Sequence, residues 1–387
     1  MKTIPMLVTS LALLFVSAPS GAAQPFQSGS NGSLGPLNVT TTDVTLDLPP
    51  DGIFHYTTIN VTRNLRFRRN ALNTPVYLLA TGDVIISGSI DVSATRGTAT
   101  TPGFGGPGGF DGGAPGATGL PGGDGLGPGA GKGGTSTGAP TDAGPASYAN
   151  VSSTGPAAQR GLVYGSPLLL PIVGGSGGGG ASGNPGWGGG GGGGGIVIAS
   201  STKITHTGTI RAFGGQALSA TVQNTGSGGA IRLVAPIIAG AGSIDVRGDG
   251  GNSGKGDGRI RVDALDRTGL NFGFSPNTTA SVGGLMVVFP DPLPRLDIIE
   301  AAGRVIPVDS GPSQVLLPAG SSPNQTVKVR ARDFGQSVPI RVVLTPDNGP
   351  SQAYEAQIDN AAANPAEASV NVTFPVNVLT HVHVWTR

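Results

Sequence analysis

The stretch "VYLLATGDVIISGSIDV", Val76 to Val92, sets two short apolar runs around Gly82 and Gly88 and ends on a five-residue phrase that returns twice. The phrase is a glycine, a Ser or Thr, an Ile, one further residue and then Val or Ala. It stands as "GSIDV" at Gly88, "GTIRA" at Gly208 and "GSIDV" at Gly242. Apolar runs precede the later copies too, "IVIASSTKITHT" from Ile196 and "IRLVAPIIAGA" from Ile231, and "GRIRVDAL" from Gly258 extends the series. The last two copies lie 34 residues apart (208 to 242), room for one coil of two or three short strands and a glycine-rich loop. No such coil can bury its own apolar face, so the spacing predicts a parallel β-solenoid in which Ile90, Ile210 and Ile244 stack as an internal ladder. Thr45 to Asn70 would form the first coils or a cap.

Composition sets the surroundings of that ladder. The 387 residues include 69 glycines and 32 prolines, which favours a loop-heavy all-β chain with a small core. No cysteine is present, so disulfides and thiolate metal sites are excluded. The first residues, "MKTIPMLVTSLALLFVSAPSGAA", have the charged start, apolar run and small-residue end of a Sec-type signal peptide over 1–23. Its removal would take Lys2 and lower the formal charge from +1 to 0, which gives no electrostatic case for nucleic acid as a partner. Nothing further on approaches the ~20 apolar residues of a membrane span.

Between Gly97 and Gly195, 39 of 99 residues are glycine, too little apolar surface to offset the entropy of ordering the segment alone. Two arrangements fit it: a flexible loop, or left-handed extended helices packed side by side with no side chains between them. The run Gly188 to Gly195 would return this excursion to the solenoid at Ile196. The proline-rich "PDPLPRL" then precedes seven strand candidates, beginning near Arg295, Gln314, Thr326, Ile340, Ala353, Ser369 and Val378. Their alternation, as in Val327, Val329 and Ala331 against Lys328, Arg330 and Arg332, suggests an Ig-like β-sandwich over 291–387.

Motifs with chemical content are sparse. "GPGAGKGGT" and "GNSGKGDG" lack the outer glycine and the hydroxyl residue of a phosphate loop, and "GGSGG" at Ser176 lacks the strand and helix of a nucleophile elbow. Asp249, Asn252 and Asp257 share a turn and are candidate calcium donors, against the alternative of a solvated turn. On an extended strand His381, His383 and Trp385 share one face, suited to a metal or a sugar ring, or simply decorating an edge strand. Arg63, Arg66, Arg68 and Arg69 are the one concentrated charge, a candidate patch for an anionic glycan or lipid headgroup. Trp187 stands alone among glycines. Asp83, Asp91, Asp245 and Asp263 fall in different coils with no local pair of the kind a glycan hydrolase requires. Seven Asn-x-Ser/Thr sequons matter for glycosylation only on a eukaryotic secretory path.

The phrases "DLPPDGIFHYTTINV", "RNALNTPVYLLATGDVIISGSIDV", "GSGGAIRLVAP" and "GDGRIRVDA" resemble a group of glycine-rich secreted bacterial proteins of unknown function. The resemblance implies a pectin-lyase-like, right-handed parallel β-helix with glycine-rich insertions, and no activity. The "NTD" and "GHG" phrases of polygalacturonases, which share that general fold, are absent. The expectation is thus an all-β chain with a right-handed parallel β-solenoid over 24–290, a glycine-rich insertion at 97–195 and a C-terminal Ig-like sandwich. Its expected role is a non-catalytic structural or adhesive one at the cell surface or in the extracellular matrix. The expected partners are a glycan, the cell envelope or further copies of itself. A polysaccharide-active enzyme and a self-assembling scaffold are the alternatives.

Overall fold

The computed structural model describes residues 25–386 apart from 118, 136–141, 184, 217–223, 252–254, 291 and 348–350. The expected signal peptide at 1–23 lies outside the described residues, as does Asn252. Among the described residues there is no α-helix, and no helix is long and apolar enough to cross a membrane.

Parallel pairing organises the first part of the chain. In order come β1 (Leu37–Val39), β2 (Val44–Asp47), β3 (Ile53–Tyr56), β4 (Ile59–Val61), β5 (Asn64–Arg68), β6 (Val76–Ala80), β7 (Val84–Ile86), β8 (Ser89–Asp91), β9 (Gly195–Ser200) and β10 (Lys203–His206). They are followed by β11 (Thr209–Arg211), β12 (Ala230–Ala239), β13 (Ser243–Asp245), β14 (Arg259–Asp266), β15 (Gly273–Ser275) and β16 (Ala280–Gly283). From β1 to β9 each strand pairs with the one three places further on, whereas β10 pairs β12, β11 pairs β13 and β12 pairs β14. The ten-residue β12 pairs β9 through its first half and β10 through its second. The chain therefore lays down three parallel columns: β3-β6-β9-β12-β14-β16, β1-β4-β7-β10-β12 and β2-β5-β8-β11-β13-β15.

Register makes the columns a shared core. Leu65, Ile90, Ile210, Ile244 and Phe274 lie in line along the third column, and the first four are wholly buried. Phe54, Leu78, Ile198, Leu233 and Val262 form the matching line of the first column, within the same apolar cluster. Each fully buried Leu or Ile contributes about 1.5–3 kcal/mol. The first column is covered on its outer face as well, where Tyr77, Leu79, Val197, Ala199 and Val234 pack under Tyr148, Leu169, Ile172 and Val288. Burial on both faces is why β6 and β9 read as continuous apolar runs instead of alternating.

Glycine-rich excursions leave from one corner, after β8, β11 and β13. Each is closed by a backbone bond at its base, where Gly194 donates to Val92, Gly229 to Ala212 and Gly258 to Val246. The excursions pack on one another, so the glycine-rich body draws in the described residues of 212–229 and 246–258 as well as those of the expected 97–195. At its centre runs Gly188 to Gly195. Gly188, Gly191 and Gly194 donate to Thr98, Thr95 and Val92; Gly189 and Gly192 to Gly113 and Phe110; Gly190 and Gly193 to Asn224 and Ser227. In return its carbonyls accept from Gly103 and Gly106, from Gly175 and Gly178, and from Gly215. A repeat of three residues that turns toward six neighbours is the packing of extended polyglycine helices, so the side-by-side arrangement is the one adopted.

That packing also accounts for the length of the tract. A Cβ at Gly189, Gly190, Gly192 or Gly193 would come within 1.9–2.3 Å of a neighbouring carbonyl oxygen, and none of the eight glycines has a positive φ. The seven from Gly188 to Gly194 are glycine for want of space, not for backbone freedom, while Gly195 meets nothing closer than Pro75 Cβ at 3.4 Å. An outer rod can carry side chains on its solvent side; the central one has no such side.

Eight antiparallel strands follow: β17 (Arg295–Ala301), β18 (Arg304–Val305), β19 (Ser313–Leu316), β20 (Asn324–Arg332), β21 (Ser337–Pro346), β22 (Gln352–Asp359), β23 (Ala366–Thr373) and β24 (Leu379–Thr386). They make two sheets, β18-β17-β20-β23 and β19-β24-β21-β22, around a core that includes Val327, Val329, Ile340, Val342, Leu344 and Phe374. All seven expected strands are present, joined by the two-residue β18.

Candidate functional site

The sequence candidates fall into one engaged cluster and several separate pairs. Arg66, Arg68 and Arg69 do not form an open basic patch, because each faces a carboxylate from another part of the chain. Register places Arg66 beside Asp91, with Nε 3.8 Å from Oδ2, in an outward line that alternates Arg66, Asp91, Arg211 and Asp245. Arg68 pairs with Asp47 on the adjacent strand. Arg69 holds Asp111 through two bonds, Nη1 to Oδ1 at 2.5 Å and Nη2 to Oδ2 at 3.2 Å. Arg63 stays exposed at the corner before β5.

Asp111 leads to the C-terminal face. Its neighbour Phe110 meets Trp385 edge-on with ring centroids 5.8 Å apart, and Trp385 is 8% exposed. His381, His383 and Trp385 do line up on one face of β24, with successive centroids 6.3 and 6.4 Å apart, while Val382 behind them enters the core. Two parts of the expectation are corrected. β24 is an interior strand held between β19 and β21, not an edge, and the indole is covered by Phe110 and so is not free to stack on a sugar. Burial pushes the His383 imidazole down to about 4, with His381 adding to the effect and Asp111 opposing it. His381 Nε2 lies 3.5 Å from Asp347 Oδ1. Nearby, burial raises the Asp124 carboxyl against the Gly133 N–H, Lys132 and Arg341.

The turn offered for calcium is held by protein groups. Lys255 Nζ lies 3.7 Å from Asp249 Oδ2. Asp257 is 2% exposed and accepts from Asn150 Nδ2 at 2.9 Å, while its own N–H donates to Asn150 Oδ1. Among the described residues no three His, Cys, Asp or Glu side chains come together as a metal site would need. Trp187 is half-buried, bridged through its backbone to Ala181 and packed on Ala143 and Ala181.

Of the scattered acids, Asp263 is buried between two guanidinium groups. It accepts from Arg232 at 3.0 and 3.2 Å and from Arg261 at 2.6 and 3.0 Å. Burial would raise its carboxyl, but Arg261, the Leu285 N–H and Arg232 outweigh that and hold it below the usual range. Asp83 accepts from Thr202, and Asp91 and Asp245 lie on either side of Arg211 in the outward line.

Sequence reasoning missed Phe110, Asp111, Asn150 and one open cleft. The cleft has a volume of about 470 Å³ on the outer face of β20 and β23, lined by Asn324, Gln325, Thr326, Asn371, Val372 and Thr373. Its sequence signal was present as the two sequons "NQT" and "NVT". No protein family, curated protein or solved structure matches the chain.

Proposed function

We propose that the chain is an exported, non-catalytic structural or adhesive protein of the cell surface or extracellular matrix. In this reading its three columns form a right-handed β-solenoid and its C-terminal sheets an Ig-like sandwich. One observation carries it: the glycine body uses its backbone groups on itself and leaves apolar side chains exposed, Phe104 at 52%, Leu120 at 57% and Leu162 at 60%. A hydrogen-bonded body that exposes apolar side chains offers points of contact, since burying each against a partner removes apolar surface from water. Engagement of the candidate acids with Arg232, Arg261, Asn150 and Thr202 supports a scaffold over a hydrolase, which needs carboxylates facing a groove.

Protease treatment of intact host cells tests the reading, with mass spectrometry of released peptides and a periplasmic marker as control. Release of peptides from 97–195 and from the C-terminal sheets supports it. Their appearance only after the envelope is opened overturns it.

A scaffold of stacked copies is the second reading. It is favoured by half-buried apolar residues at both ends of the columns, Leu37, Val44 and Leu46 at one and Phe272 and Phe274 at the other. Concentration-dependent filaments in electron micrographs would support it, and a monodisperse monomer at high concentration would count against it.

A further inference from the structure

We infer that the open cleft on β20 and β23 is a binding site for a neutral oligosaccharide, a deepening of the adhesive reading on which it rests. The two N-x-T tripeptides run antiparallel and in register, Asn324 opposite Thr373 and Thr326 opposite Asn371. Alternation then turns all four polar side chains outward while Val327 and Val372 enter the core. The result is a four-cornered patch of two carboxamides and two hydroxyls, each amide diagonal to the other.

The chemistry of that lining selects the ligand. Among the described residues no ionisable side chain lines the cleft, and the nearest charges along the same strands are paired, Lys328 with Glu300 and Arg330 with Glu367. An anionic ligand therefore finds no counter-charge. Carboxamides and hydroxyls donate and accept at once, as sugar hydroxyls do, so one patch can satisfy a ring presenting both roles. The patch is also held in place. Thr373 Oγ1 donates to Asn324 Oδ1 at 3.3 Å, the Thr373 N–H donates to Tyr354 Oη at 2.9 Å, and Gln325 Nε2 donates to the Ser322 carbonyl at 2.7 Å. A volume of about 470 Å³ lies in the range of small-molecule sites. The lining lacks Trp and Arg, the anchors of a protein interface.

The test is saturation-transfer NMR on the purified full chain with cellotriose, maltotriose, mannotriose and chitotriose, and with sialyllactose as a charged comparator. A signal from at least one neutral trisaccharide is expected and none from the charged one. The double variant Thr326→Val/Asn371→Leu should weaken binding by about tenfold or more, the scale of losing one to two hydrogen bonds. Asn324→Ala, at the opposite corner, should weaken it as well. All three side chains are exposed, so unchanged melting temperatures are expected and separate lost contacts from lost fold. Binding by both variants as tight as that of the unaltered chain overturns this site while leaving the adhesive reading in place. No signal from any neutral trisaccharide overturns the inference itself, and surface release by protease then still decides the broader reading.

Discussion

The ring of Phe110, at the edge of the glycine body, meets the indole of Trp385 on β24 edge-on, with centroids 5.8 Å apart. One residue on, Asp111 is clamped by Arg69. Parts of the chain 275 residues apart (110 to 385) are thus joined through one aromatic contact.

Because the two rings touch, Phe110→Leu and Trp385→Leu will not be additive. A double-mutant cycle by urea denaturation should return a coupling of about 0.5–1.5 kcal/mol, the usual range for an edge-on aromatic pair. Zero coupling would mean that the two rings do not meet.

Within the central rod, the effect of one added methyl should depend on position. Gly192→Ala drives a Cβ to 2.0 Å from the Gly175 carbonyl oxygen, whereas Gly195→Ala meets Pro75 Cβ at 3.4 Å. We expect the first to cost about 3 kcal/mol or more, or to prevent folding, and the second to cost much less. Thermal denaturation of the two variants side by side decides it. Equal losses would refute the packed rod.

Acid should weaken the junction near Trp385. In the folded chain His383 is held down to about 4 from its ordinary 6.5, so as pH falls the unfolded chain takes up the proton first. The stability due to the neutral imidazole is complete above about pH 6.5 and is lost progressively down to about pH 4. The groups facing it are His381, with Asp347 beyond, and Asp111, itself paired with Arg69. Denaturation midpoints measured from pH 7.5 to 4 should fall less steeply in His383→Gln. An identical pH profile in that variant would exclude the imidazole as the cause.

Beneath the outer apolar layer, Arg232 is wholly buried and Asp263 is its anionic partner. Asp263→Ala leaves that guanidinium uncompensated and should destabilise by about 3–5 kcal/mol. Adding Arg232→Met should recover part of the loss, because an apolar pair of similar volume removes the stranded charge. No recovery in the double variant would place the loss elsewhere.

What could be foreseen from sequence was what side chains encode locally. The repeated phrase placed Ile90, Ile210 and Ile244 on one line because apolar residues recur at a fixed place between glycine corners, and alternation identified Val327, Val329 and Ala331 as a core face. Glycine carries no such code. The choice between a loose loop and a packed body rested on whether three excursions share a corner, which only the register of β8, β11 and β13 reveals. The arginine cluster looked like a patch because Asp47, Asp91 and Asp111 reach it from other turns of the chain. The shared face of His381, His383 and Trp385 was legible, but not its cover, since Phe110 sits in text that reads as linker.

The rod at Gly188 to Gly195 also has a consequence for the order of synthesis. Its partners at Val92 to Gly113 and Gly175 to Gly178 precede it on the ribosome, but Gly215, Asn224 and Ser227 follow it. A nascent chain that stops short of Ser227 leaves the rod with open bonds on one side, and glycine gives it no side chain with which to wait in a collapsed state. The glycine body and the columns on which it closes should therefore become ordered in one late step. A chain ended after residue 200 should be far more sensitive to protease across Gly103 to Gly195 than one ended after residue 290.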